Sequence, residues 1–98
     1  MASRTLSTAA ETIFLRNRLR RSFAIQNEDT AIDIFIKQER TATPSVSSTD
    51  HDHRISPGAS LSVTDFSDGK ESVQDRWTIV AASGTPRVSF FETEDVVR

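Results

Sequence analysis

The residues best suited to do chemistry stand together in the run Asp50-His51-Asp52-His53, where carboxylate and imidazole groups alternate. Both groups bind zinc, but a zinc site needs three or four converging ligands held in place by further contacts. The chain has only these two histidines and no cysteine. The run therefore predicts a solvated turn, with no metal and no cofactor.

Catalytic motifs are missing from the sequence, although serine, histidine and aspartate all occur. No nucleophile elbow and no glycine-rich phosphate loop can be found. The three glycines, Gly58, Gly69 and Gly84, are isolated and typical of turns. Since catalysis needs several groups fixed rigidly in a dry pocket, a 98-residue chain of this composition is predicted not to be an enzyme.

Charge divides the chain near residue 24. Residues 1–24 hold five arginines and one glutamate (+4), whereas the rest holds seven Lys/Arg and thirteen Asp/Glu (−6), for a net charge of −2. A nucleic-acid binder usually spreads its basic residues over one face, so we expect no nucleic-acid partner. The N-terminal segment is instead expected to meet something negative.

The N-terminal half predicts one helix and one short element. Residues 8–23 have apolar residues near helical spacing, and Glu11 stands where a capping-box acid would reach back to Thr8. The apolar spacing and the capping residues therefore predict that residues 1–24 form a basic amphipathic helix. Residues 25–40 form a short strand or, as the alternative, a short helix, because their isoleucines alternate with polar residues but also share a helical face.

The C-terminal half predicts a linker and a small sheet. Residues 41–60 are rich in Ser and Thr and lack aromatic residues, so we expect a disordered linker. In residues 61–98, apolar and polar residues alternate on both sides of an Asp68-Gly69 turn. This pattern predicts a short antiparallel β-meander or an extended docking segment. In that meander four residues should be cross-strand neighbours on one face: Trp77, Ile79, Val88 and Phe90. The expected fold class is a small, marginally stable α+β protein.

The N-terminal segment resembles a mitochondrial presequence, because it is rich in Arg, Ser and Thr and amphipathic as a helix. The arginines of its last turns are Arg16, Arg18, Arg20 and Arg21. The run 21–24 also resembles the matrix cleavage pattern, which would place a cut after Phe23. As a presequence, the segment would bind an import receptor. Alternatives are an anionic membrane, an acidic protein surface, or an ordinary helix with solvated arginines.

Arg87-Val88-Ser89-Phe90 resembles the RVSF-type docking motif of protein phosphatase 1 regulators. The resemblance implies that the segment adds as a strand to the catalytic subunit, with Val88 and Phe90 in apolar pockets and Arg87 near surface acids. Val96 and Val97 stand where many members of that family have a second apolar pair. The competing interpretation places Val88 and Phe90 inside a hairpin, where they could not dock.

Two serines are the main candidates for phosphorylation. Ser56 precedes Pro57, as proline-directed kinases prefer, and Ser89 has Glu92 three residues on, as acid-directed kinases prefer. Phosphate on Ser89 would put about two negative charges between Val88 and Phe90 and weaken either hairpin packing or docking.

The leading hypothesis for function is a non-catalytic regulatory or adaptor protein that works through short binding segments. One alternative is a small nuclear-encoded mitochondrial protein imported by residues 1–23. Another is a lineage-restricted or viral accessory protein. The expected location is cytoplasmic or mitochondrial, since the sequence has neither a secretory signal nor a membrane span. The sequence does not indicate an oligomeric state.

Overall fold

A computed structural model describes residues 2–39, 43–64 and 73–94. Strands account for most of these residues. In chain order they are β1 (Ala2–Thr5), β2 (Glu11–Phe14), β3 (Arg20–Asn27), β4 (Ile34–Glu39), β5 (His53–Ile55), β6 (Ser60–Thr64), β7 (Arg76–Ala81) and β8 (Arg87–Glu94).

The strands form two four-stranded sheets packed face to face. The first sheet has the order β1-β8-β3-β6 and the second has the order β2-β7-β4-β5. All pairs are antiparallel, and they include β1 with β8, β2 with β7, β3 with β6 and β4 with β5. The first four strands thus pair antiparallel with the last four in reverse order, as in one long hairpin, and this hairpin is folded into two sheets. This is the topology of a jelly roll, a fold that hosts many unrelated functions.

The predicted N-terminal helix and the α+β fold class are wrong, since the described chain is nearly all β. Residues 8–23 form β2, a loop and the first half of β3. Ile13 and Phe23, expected on the apolar face of the helix, are buried between the sheets, whereas Leu15 and Leu19 are exposed. Long-range pairing of β3 with β6 and β8 outweighs the local helix signals.

The predicted disordered linker is also wrong for the described residues 43–60. The segment 43–52, here called the strap, lies across the outer face of the second sheet. Val46 packs there against Phe35 and Val80, and all three side chains are buried. The buried carboxylate of Glu39 accepts hydrogen bonds from the backbone N–H (2.8 Å) and hydroxyl (3.0 Å) of Ser45. One apolar contact and a few polar anchors therefore hold a segment of mostly polar composition.

The predicted β-meander does not form, because β7 and β8 belong to different sheets. Trp77 and Ile79 on β7 contribute to the same core as Val88 and Phe90 on β8, but they do so from the opposite sheet. The predicted Asp68-Gly69 turn lies outside the described residues.

Aromatic rings join the two sheets at the centre of the core. Phe23 of the first sheet lies 4.6 Å from Phe14 and 5.1 Å from Trp77, both in the second sheet, measured between ring centroids. Phe90 of the first sheet contacts Phe14 edge to face at 5.7 Å. Such ring pairs add to the stabilisation that burial alone provides.

Lys37 anchors the strap and makes its stability depend on pH. The Lys37 ammonium donates to Asp50 at 2.7 Å, and this bond raises the pKa of Lys37 above its ordinary value of 10.5. Because the pKa of Lys37 is higher in the folded state than in the unfolded state, the stabilisation from its bond to Asp50 is complete below the unfolded-state pKa. This stabilisation is lost as the pH rises through the folded-state pKa.

We therefore expect urea unfolding midpoints of the wild type to exceed those of Lys37→Met by a constant gap between about pH 7 and about pH 10. The gap should then close at higher pH as the ammonium loses its proton. A gap that stays constant or widens above the ordinary pKa of lysine would show that Lys37 does not hold the strap by its charge.

Candidate functional site

Arg20 is buried at the start of β3, with only 2 % of its surface exposed. Its guanidinium donates to the Glu92 carboxylate at 2.6 Å, and to the carbonyls of Val73 at 2.9 Å and Asp75 at 3.1 Å. It also donates to the carbonyl of Leu15. These bonds use four of the five N–H donors of arginine and tie three separate parts of the chain to one side chain: Leu15, the segment 73–75 and Glu92.

The same guanidinium lies over two aromatic rings of the core. Its central carbon is 5.1 Å from the ring centre of Phe14 and 6.0 Å from that of Phe23. A cation over a ring face is attracted by the ring's negative face, most strongly where water is excluded. Arg20 is therefore part of the core and is not available for the acidic-surface contact predicted from the sequence.

Residues 15–19, here called the Arg/Leu loop, connect β2 to β3 and present alternating leucines and arginines. Leu15 is 67 % exposed and Leu19 is 41 % exposed, and Arg16 and Arg18 are exposed as well. Asn17 shapes the loop, because its side-chain oxygen accepts from the Leu19 backbone N–H at 2.9 Å.

The loop is fixed to the rest of the domain by Gln74. The Gln74 carbonyl accepts from the backbone N–H of Asn17 at 2.9 Å, and its side-chain amide donates to the carbonyl of Arg18 at 2.7 Å. The exposed leucines and arginines are therefore held by backbone contacts that leave their side chains at the surface.

The positive charge of this end of the sandwich is concentrated at Arg16 and Arg18. Arg20 is neutralised by Glu92, and Arg4 lies 3.7 Å from the carboxylate of Glu11. Within the described ranges, Arg16 and Arg18 form no ion pair. Two of the four arginines predicted to contact an acidic surface thus present an uncompensated charge, and Arg21 is a further exposed arginine.

A groove of about 730 Å³, here called the edge groove, lies where β1 and β2 border the two sheets on the same side of the sandwich. Within the described residues, neither strand is paired on its outer side. The residues that line the groove include Arg4, Thr12, Phe14, Leu15, Arg16 and Phe90. Leu19 and Arg18 lie outside it, although they belong to the same loop.

Apolar and cationic groups alternate around this groove. Phe14 and Phe90 form its apolar inner part, and Arg4 is held beside them by a bond from its guanidinium to the Thr12 carbonyl (3.0 Å) and by its position over the Phe90 ring (5.8 Å). Leu15 and Arg16 form the outer wall. Such a surface can receive an elongated ligand that has apolar and acidic groups.

Three residues of the groove were not predicted as site residues from the sequence: Arg4, Phe14 and Leu15. A signal for the loop is present in the run Leu15-Arg16-Asn17-Arg18-Leu19, where a central asparagine favours a turn. The groove itself has no sequence signal, because it depends on the placement of β1 beside β2 in opposite sheets.

The phosphatase-docking residues lie in β8, which is paired with β1 on one side and β3 on the other. Val88 is fully buried and Phe90 packs against the core, whereas Arg87 is exposed and lies 3.6 Å from Glu28. Docking by strand addition would require β8 to leave the sheet. The docking prediction therefore applies only to a chain in which β8 is released. Val96 and Val97 lie outside the described residues.

The predicted cut after Phe23 falls within β3 (Arg20–Asn27). It would remove β1 and β2 together with the core residues Phe14 and Phe23. The two-sheet fold can therefore belong only to the uncut chain. Within the described ranges, no helix has the length and apolar composition needed to cross a membrane.

The remaining predicted residues differ in their access to solvent. Ser56 is half-buried beside a turn in which its carbonyl accepts from Ala59, and Ser89 is only 7 % exposed. Ser89 lies on the outer face of the first sheet, but β8 is paired on both sides, so a kinase that binds an extended segment would need β8 to leave the sheet. In the strap, His51 packs on the Phe35 ring at 4.6 Å. Among the described residues, no group of three or more His, Asp or Glu side chains is placed to hold a metal ion.

Arg20→Met should lower the free energy of unfolding by about 3 kcal/mol, because the substitution leaves the buried carbonyls of Val73 and Asp75 and the carboxylate of Glu92 without their donor. Arg20→Lys keeps the charge but loses the planar fork, so it should cost about 2 kcal/mol. Urea unfolding measures both values. The matched control is Arg18→Met on the exposed loop, for which we expect a change within about 0.5 kcal/mol. Equal effects at positions 18 and 20 would contradict the assigned role.

The chain matches no protein-family model, no curated protein and no solved structure. The geometry of the edge groove and of the Arg/Leu loop is therefore what supports a proposal about function.

Proposed function

We propose that the protein is a non-catalytic adaptor or regulatory protein that binds an extended segment of a partner protein in the edge groove. The observation that supports this proposal is the meeting of three features at one place. These are the open edges of β1 and β2, the highly exposed Leu15, and the uncompensated charge of Arg16. The partner segment is expected to combine apolar and acidic residues.

Strand addition explains how such a segment would bind. An extended peptide that pairs with the free edge of β1 or β2 gains main-chain hydrogen bonds, and its alternate side chains point into the groove. Apolar side chains would cover Leu15 and the edges of Phe14 and Phe90. An acidic side chain would meet Arg16, and this exposed pair would contribute at most about 1 kcal/mol.

Specificity in this arrangement comes from charge and affinity comes mainly from apolar contact and backbone pairing. A short segment of this kind typically reaches a micromolar dissociation constant, corresponding to about −8 kcal/mol.

The other two arginines of the groove are not expected to contact the partner. Arg4 and Arg20 have acidic partners within the chain, which supports a role for them in shaping the groove.

Selection from a displayed library of random peptides tests this function. We expect the wild-type protein to enrich extended sequences in which an acidic residue stands next to apolar residues. A synthetic peptide of the enriched sequence should bind with a micromolar dissociation constant. Binding should weaken by at least about tenfold with Leu15→Ser and by up to about fivefold with Arg16→Ser.

The matched controls come from the same loop. Leu19→Ser and Arg18→Ser change the same residue types outside the groove and should leave peptide binding unchanged. Binding to vesicles that contain phosphatidylserine is the competing outcome. If all four variants weaken vesicle binding equally and no peptide is enriched, the loop attaches to an anionic lipid surface and the peptide-binding proposal is wrong.

A further inference from the structure

The outer face of the first sheet carries three rows of uncharged side chains, most of which have a hydroxyl group. Side chains opposite one another in register share a face of the sheet. Three rows cross the sheet in this way: Ser3, Ser89, Gln26 and Ser60; then Phe91, Ala24 and Ser62; then Thr93, Ser22 and Thr64. The contact of 2.6 Å between the hydroxyls of Ser22 and Thr93 agrees with this placement. These rows are called the hydroxyl face.

The absence of charge from the hydroxyl face is unusual for this protein, in which 27 % of all residues are charged. Arg87 lies beyond the first row, 3.6 Å from Glu28, and its guanidinium donates to the Ser3 hydroxyl at 2.9 Å, so a charged group borders the face at Ser3. Soluble protein surfaces usually intersperse charges of both signs, so three adjacent rows without a charged residue distinguish this face from the rest of the surface.

Phe91 projects from the middle row and is 45 % exposed. Beside it is a shallow depression of about 100 Å³, lined by Ala24, Gln26, Ser60 and Ser89 together with Phe91 itself. An exposed aromatic ring next to an amide and several hydroxyls combines an apolar platform with groups that both donate and accept hydrogen bonds.

The size of the face limits its occupant. The first row crosses four strands and the other two rows cross three, so together they cover at most about 14 Å by 13 Å, or roughly 200 Å², from the spacing of strands and residues in a sheet. A stable interface between two proteins needs about 800 Å² on each partner. The hydroxyl face is therefore too small to hold a second copy of the chain by itself, but its size matches a short, flat ligand.

We propose that the hydroxyl face binds a neutral oligosaccharide. A sugar ring presents C–H groups on its faces, which pack against an aromatic ring such as Phe91. Its hydroxyls exchange hydrogen bonds with the side chains of Gln26, Ser60 and Ser62. A neutral ligand needs no counter-charge, in agreement with the composition of the three rows. Phe91 also lines the edge groove, so the two sites adjoin at this ring. The sugar-binding proposal does not depend on the function proposed for the groove, because Gln26, Ser60 and Ser62 do not line it.

An NMR titration tests the proposal on the intact protein. Maltotriose, cellotriose, mannotriose, galactotriose and chitotriose are added separately to isotope-labelled protein, each up to about 10 mM, since one stacked ring and a few hydrogen bonds predict a dissociation constant near 1 mM. At least one trisaccharide should shift the amide signals of Ala24, Gln26, Ser62 and Phe91 in a saturable way.

Substitutions at Phe91 separate stacking from general apolar contact. Phe91→Leu should weaken binding by at least about fivefold, whereas Phe91→Trp should preserve or strengthen it, because Trp offers a larger ring face. Ser83→Ala, an exposed hydroxyl in the β7–β8 turn, is the control and should change nothing. Three results would each overturn the proposal: no shifts with any trisaccharide, equal binding by Phe91→Leu and wild type, or shifts confined to the edge groove.

Discussion

The buried guanidinium of Arg20 is the interaction on which the rest of the structure depends. It closes one end of the core over the rings of Phe14 and Phe23, and its hydrogen bonds reach β8 through Glu92 and the chain before β7 through two carbonyls. A buried charge is costly unless it is paired and its donors are satisfied. The sandwich can close at this end only when all of these segments are in place.

This constraint also separates two roles within one arginine-rich segment. Arg20 is used inside the domain, while Arg16 and Arg18 remain at the surface without an acidic partner among the described residues. The bond from Arg20 to the Leu15 carbonyl fixes the start of the exposed loop, so the loop and the edge groove share a support. The proposed binding surface is thus a consequence of how the core is closed.

Part of the fold could be read from the sequence, and the rest depends on distant contacts. The alternation of Phe23 and Ile25 with Ala24 and Gln26 is a strand signal, but the helix signals before it conceal where the strand begins. Nothing local distinguishes Arg20 from Arg18, because the partner that makes its burial tolerable, Glu92, lies 72 residues away. The edge groove is unpredictable for the same reason, since it forms between strands of opposite sheets.

The NMR signal of the Arg20 side-chain Nε–H group tests the central claim most directly. If the guanidinium closes the core, this proton should exchange slowly with solvent and show nuclear Overhauser contacts to the Phe14 ring, while strand contacts join Ala24 to Phe91. A rapidly exchanging Nε–H signal together with helical contacts between residues three apart in 8–23 would contradict it.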